Sequence, residues 1–241
     1  MRAWPQVRRA CCGSHAAMTS LPPPPQLRLA DGIGLARFAD SVIVLDVPCD
    51  RYTRCGGNAA VTLAAIADEQ PLEPAPDGLA ALQRAGLVTA EPQPSSCFLD
   101  PRGMPQATSS VLEGGENPRE LGWHDLKIVF ACAKSRLDLR RKSLAQVLRQ
   151  LSAPAPRHAP ADIGKLARDF DTGRRLAPFR PRCLPDALAF TRYARRRGHD
   201  VRLVFGVKCH PFEAHCWAQL GSVVLTDPLE RIVRFQPILA L

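Results

Sequence analysis

Cys183, His215 and Asp227 are the residues of this 241-residue sequence whose types and order suit nucleophilic chemistry. A cysteine attacks as its thiolate, a form favoured by a nearby histidine and by the partial positive charge at a helix N-terminus. Cys183 stands one residue before a helix expected over residues 184–197 (LPDALAFTRYARRR), with Pro185 tolerated in the first turn and Gly198 as terminator. His215 falls in a strand-like run over 214–220, and Asp227 ends the next run, 222–226. Adjacent antiparallel strands would bring imidazole and carboxylate together, opposite a helix-borne thiol. That arrangement suits acyl transfer through a thioester.

Other readings use the same residues. Cys209, His210, His215 and Cys216 could be taken as a zinc site, although C-H-x4-H-C matches no structural zinc pattern well and the sequence around it has no CxxC pair. His215 could equally be a satisfied histidine beside Trp217. Nine cysteines are an odd number without regular spacing, and the opening MRAWPQVRRACCGSHAAMTS has no clean apolar core of the length expected of a secretory signal, so they are expected to be reduced thiols rather than a disulfide framework. Cys132, in an apolar helical run, and Cys97, in a poorly patterned stretch, read as small structural thiols.

The elements that position the three residues make a helix followed by an antiparallel meander: 184–197, a strand over 200–207 (DVRLVFGV), then the two runs bearing His215 and Asp227. Upstream, residues 125–133 and 143–151 have helical periodicity, and the charged KSRLDLRRK between them reads as a solvated surface. Nearer the N-terminus, residues 34–46 (GLARFADSVIVLD) read as two short strands, with Val42 and Val44 on the face opposite Ile43 and Leu45, and a third strand is expected near 51–54. Two helices follow, one capped by Asn58 and ending at Pro71, the other capped by Asp77 and stopping at Gly86. The fold class is therefore α+β: a small winged-helix-like N-terminal domain and a second domain with a catalytic helix and an antiparallel sheet. Prolines cluster at 22–25, 71–76, 92–105 and 154–160. The expected domains are a disordered extension over 1–26, a first module over 27–90, a linker over 91–118 and a second domain over 119–241.

The quoted segments resemble a known family. Cys183-Leu184 opening a helix, RRRGHDVRLVFGV after it, PFEAHCW around the histidine and GSVVLTDP around the acid are similar to the lasso peptide biosynthesis B proteins. These are leader peptidases of the transglutaminase-like, papain-type cysteine peptidases. The resemblance covers about residues 120–241, and Pro211, Phe212, Ala214, His215 and Trp217 form its most specific element. It implies that Cys183 is the nucleophile, His215 the general base and later acid, and Asp227 the orienting carboxylate, with no cofactor and no metal. It also implies that residues 27–90, with VIVLDVPCDRY before a helix, form a leader-recognition (PqqD-like) module. The implied partners are a precursor peptide held by its leader and an asparagine synthetase-like macrolactam synthetase. Where leucine follows the tyrosine strand in relatives, this chain has Cys55-Gly56-Gly57.

Composition bears on the alternatives. Residues 1–118 carry nine Lys and Arg against twelve Asp and Glu, whereas residues 119–241 carry 23 against 11. The basic half suits an acidic peptide. It also leaves open a winged-helix DNA-binding regulator, though the helical module lies in the acidic half, where phosphate binding is disfavoured. A transglutaminase-type acyl transferase, using the same triad with an amine as acceptor, is the other alternative. The sequence has no apolar stretch of membrane-spanning length, which excludes a helical span, and a cytoplasmic location is expected.

Overall fold

The computed structural model describes residues 27–70, 72, 78–91, 96–113, 122–151 and 162–241. The extension over 1–26 and the cap at Asp77 lie outside these residues. The chain enters at β1 (Arg28–Leu29) and turns into β2 (Ile33–Arg37), β3 (Ser41–Asp46) and β4 (Arg51–Gly56), which form an antiparallel sheet in the order β2-β3-β4. Helix α1 (Gly57–Ala67) follows directly, its N-cap being Gly56 with no side-chain cap, so Asn58 lies within the first turn rather than capping it. Then come α2 (Leu79–Arg84) and β5 (Val88–Thr89), which pairs antiparallel with β1.

Alternation along β3 explains how this module is covered. Successive side chains of a strand point to opposite faces. Val42 and Val44 pack with Leu63 and Ile66 of α1 and Leu82 of α2, while Ile43 and Leu45 pack with Leu148, Leu188, Phe205 and Ile238 from the C-terminal half. Every residue of β3 is consequently buried. One sheet thus serves two cores.

The stretch expected as a linker is partly built into the second domain. Leu99 bridges Ala240, and β6 (Ser109–Ser110) pairs in parallel with a strand more than a hundred residues later. Short periodicity hid this, because a two-residue strand has no pattern to read. Helix α3 (Trp123–Arg141) runs unbroken through KSRLDLRR, with the final Lys142 of the charged run as its extended C-cap. That run is not simply solvated: Ser135 and Asp138 are buried, and Arg192 donates to Asp138 Oδ2 at 2.9 Å. A charged face can turn inward when its charge is paired.

After α4 (Leu144–Leu151) and α5 (Ile163–Arg175), α6 (Cys183–Arg195) leads into β7 (Arg202–Lys208), β8 (Glu213–Leu220), β9 (Val223–Val224), the short α7 (Leu229–Ile232) and β10 (Gln236–Ala240). The sheet order is β10-β7-β8-β9-β6, antiparallel except for the β6–β9 pair. Helix α6 lies against this sheet, with α3 and α5 packed outside it around Phe170, Phe190 and Tyr193. Two glycines permit close approaches. A Cβ on Gly34 would stand 2.4 Å from the Ile238 carbonyl oxygen, so β2 can lie on β10 only without a side chain there, and one on Gly206 would stand 2.6 Å from the Trp217 ring. Among the described residues no helix is long and apolar enough to cross a membrane.

Candidate active site

The start of α6 sets the position of Cys183. Cys183 is the first helical residue, Arg182 the N-cap, and Asp186 the acid of the first turn. Asp186 accepts from the Arg182 backbone N–H at 2.9 Å, from Arg174 Nε and Nη2 at 2.9 and 2.7 Å, and from Arg136 Nη2 at 3.2 Å. One carboxylate therefore ties the helix start to α5 and α3. The thiol is left at the helix mouth, where N–H groups lack intrahelical partners.

The strand side is formed by an interrupted ladder. Beyond β9 the chain stays beside β8: Leu225 N–H donates to Ala218 O at 2.9 Å, and Ala218 N–H donates to the Thr226 hydroxyl at 3.0 Å. Thr226 in turn donates to Asp227 Oδ2 at 3.0 Å. Backbone groups two residues apart face the same edge of a strand. Two residues back from Ala218 along that edge is Cys216, whose N–H acts on the Cys183 sulfur, as does the N–H of Leu184.

His215 Nε2 lies 2.9 Å from Asp227 Oδ1, with both residues buried. This pairing leaves Nδ1 for the thiol. Arg231 approaches the same carboxylate oxygen at 3.6 Å, and Ser110 Oγ donates to the Asp227 carbonyl at 2.7 Å, so β6 helps fix the loop. The imidazole is flanked by Trp217, stacked at 6.4 Å, and Phe235, tilted at 5.2 Å. Gly206 opposite His215 leaves the room that Trp217 occupies.

The electrostatics follow from these contacts. Burial works to raise the Cys183 pKa, but the His215 hydrogen bond and charge, with the two backbone N–H groups, bring it below the ordinary thiol value. Burial works to lower that of His215, but hydrogen bonds to Asp227 and Cys183 and the Asp227 charge bring it up to about 9. Opposite shifts on adjacent groups favour a thiolate–imidazolium pair. Other thiols move the other way: burial pushes Cys132 up to about 12, and burial followed by the Cys183 and Asp227 charges pushes Cys216 well above the ordinary value. Cys216 adjoins His215 in sequence yet is fully enclosed. Cys97 and Cys209 are half-buried.

A cleft of about 680 Å³ opens at Cys183 and His215, walled by Phe170 and Arg174 of α5 and by Leu225 and Pro228. Arg168, Arg175, Arg182 and Arg231 also line it, against Asp171, Asp186 and Asp227, so its rim is basic. Among the described residues no group of three or more His, Cys, Asp or Glu side chains is placed to hold a metal ion.

Cys183, His215 and Asp227, singled out from residue order, are thus brought together. Asp186, Thr226, Arg231 and Ser110 were not foreseen. Asp186 carried a signal, an acid in the first turn of a helix whose start was recognised. The others act through contacts distant in sequence or through loop geometry that has no periodicity.

Residues 127–240 match the family model described as the transglutaminase-like superfamily. No curated protein and no solved structure matches the chain. The matched region contains α6, β7, β8, β9 and the three residues Cys183, His215 and Asp227, so the site lies in the stretch that is similar to that superfamily, a stretch of mixed helix and sheet. The match is consistent with a cysteine peptidase or an acyltransferase.

Proposed function

We propose that the protein is a cysteine endopeptidase that removes the leader from a ribosomally made lasso peptide precursor. The observation that carries the reading is the buried His215–Asp227 pair at 2.9 Å beside a thiol held at a helix start. In this mechanism the Cys183 thiolate attacks the carbonyl carbon of the last leader residue, and the carbonyl pair moves onto oxygen near the Cys183 backbone N–H. The intermediate collapses as the C–N bond breaks, and the departing nitrogen takes the proton from His215. The core leaves with a free amine. His215 then deprotonates water, which attacks the thioester and releases the leader as a carboxylic acid. Asp227 keeps the imidazole in the orientation both steps need.

The N-terminal module, read as winged-helix-like, would hold the leader. Gly34 lets β2 press against β10, whereas β4 is an outer strand with no partner beyond it among the described residues. An extended peptide can add to such an edge, with main-chain hydrogen bonds giving affinity and side-chain pockets giving specificity. The basic cleft rim suits acidic substrate groups. A macrolactam synthetase would then join the exposed amine to a side-chain carboxylate of the core.

Incubating the purified protein with a lasso precursor and weighing the products tests this. Wild type should yield separated leader and core, and Cys183→Ala neither. The family match at residues 127–240 also favours a second reading, in which an amine replaces water as acceptor. A cross-linked product of higher mass would mark that outcome.

A further inference from the structure

Helix α3 turns apolar side chains outward as well as inward. Among the described residues nine large hydrophobic side chains are exposed, and four of them stand on this one helix: Trp123 is 83% exposed, Leu126 44%, Phe130 63% and Leu137 44%. Their spacing alternates between three and four residues, with Ala133 filling the place between Phe130 and Leu137. That is the heptad repeat of a helix that packs lengthwise against another helix. From Trp123 to Leu137 the stripe is about 21 Å long, at 1.5 Å per residue. The inward face already has its neighbours: Ile128 and Cys132 pack with Phe170, Phe190 and Tyr193, and Asp138 is paired with Arg192. The outward stripe is therefore surplus to the helix's own packing.

Charge decides what fits this stripe. Lys127, Lys134 and Arg141 are exposed, and each directly follows a stripe position, so they form a basic row along one side. Lys127 and Arg141 make no ion pair with a described residue. The acids of the helix, Asp125 and Asp138, are both buried. A second copy of the chain is a poor occupant: antiparallel pairing sets the basic row against itself, and parallel pairing sets it against Val129 and Arg136. An anionic lipid surface matches the charge, but a stripe confined to two positions in seven is the narrow form that another helix covers. We propose that the outer face of α3 docks a partner protein through an acidic amphipathic helix. The partner's apolar stripe covers Trp123, Leu126, Phe130 and Leu137, and its Glu or Asp side chains lie along Lys127, Lys134 and Arg141. The small Ala133 leaves a hole between Phe130 and Leu137 for a large side chain of that helix. None of these residues lines the cleft, so the docking does not rest on the chemistry read at Cys183.

Synthetic peptides about three heptads long test this on the full chain. One carries Leu at the stripe positions and Glu beside them, charges that also keep it from pairing with itself. A second replaces the Glu with Lys, and a third has the composition of the first with its leucines moved off the stripe. The expected result is saturable binding of the acidic peptide alone, read by fluorescence anisotropy, with tryptophan emission shielded from acrylamide in wild type and not in Trp123→Phe. Phe130→Ser should weaken binding about tenfold or more, as loss of a central anchor does. Lys127→Glu with Arg141→Glu should transfer the preference to the basic peptide. Both variants change exposed side chains, so their denaturation midpoints should match wild type. No binding of the acidic peptide, equal binding of the acidic and basic ones, or binding indifferent to Phe130→Ser would overturn the proposal. So would another occupant of the face: a wild-type dimer in sedimentation that Phe130→Ser returns to monomer, or uptake by phosphatidylglycerol vesicles that Phe130→Ser abolishes while the acidic peptide stays unbound.

Discussion

The five-stranded and three-stranded sheets treat their polar groups in opposite ways. Around β8 and the start of α6, the buried acids and the histidine are paired: His215 with Asp227, Asp227 with Thr226, and Asp186 with two arginines and a backbone N–H. Along β4 the side chains are exposed or half-buried and the outer edge has no partner among the described residues. Charged chemistry in a buried site requires fixed partners, because an unpaired buried charge is costly. Peptide recognition instead requires backbone groups left available. The contrast is what separates the proposed chemistry, in the C-terminal part, from the proposed docking, in the N-terminal part, and Ile43, Leu45, Leu188 and Phe205 belong to one core shared by both.

The sharpest break in this contrast would come at Asp227. Asp227→Asn should lower kcat by about 10²-fold or more, by the logic of orienting carboxylates in other triads, in a leader-cleavage assay. It should also lower the pH at which activity is lost on the alkaline side. The raised His215 pKa keeps the imidazolium until pH passes about 9, and the Asp227 interactions supply that rise. Without them the alkaline limb should move to lower pH, while the acid limb still reports the Cys183 thiolate. Next in size is Asp186→Ala, which strands Arg174 and Arg136 and frees the Arg182 N–H. Breaking a largely buried ion pair on one side costs about 3 kcal/mol, readable as a lowered denaturation midpoint with unchanged m-value.

Gly34→Ala tests the seam between the sheets. A Cβ there would meet the backbone oxygen of Ile238 at 2.4 Å, so one strand must shift. A loss of about 1–3 kcal/mol is expected from such overpacking, measured by the same denaturation. The smallest effect concerns the open edge. Adding a leader peptide alone should slow amide hydrogen exchange along residues 51–56 while leaving β7 and β8 unchanged. Protection confined to β7 and β8 would place docking elsewhere.

The helix-then-meander order and the three candidate residues could be read from sequence because they rest on local pattern: a proline tolerated in a first helical turn, alternation over eight-residue strands, and a compact PFEAHCW segment. The alternation of Val42 and Val44 against Ile43 and Leu45 was legible for the same reason. What escaped was non-local. Ser109 and Ser110 make too short a strand to show periodicity, and their partner lies more than a hundred residues away. KSRLDLRRK looks solvated because charge suggests water, yet Arg192 arrives from another helix to pair Asp138. Gly34 and Gly206 look like ordinary strand residues until the atoms opposite them are known.

The central claim is that Cys183 is held as a thiolate by His215, and the pH dependence of its alkylation tests this most directly. Iodoacetamide labelling of the full chain, quantified at each cysteine by mass spectrometry, should show Cys183 reacting at half its maximal rate below the pH of about 8.5 typical of a free thiol, with Cys132 and Cys216 unreactive. His215→Ala should move that midpoint upward. A Cys183 midpoint at or above the free-thiol value, unmoved by His215→Ala, would contradict the account.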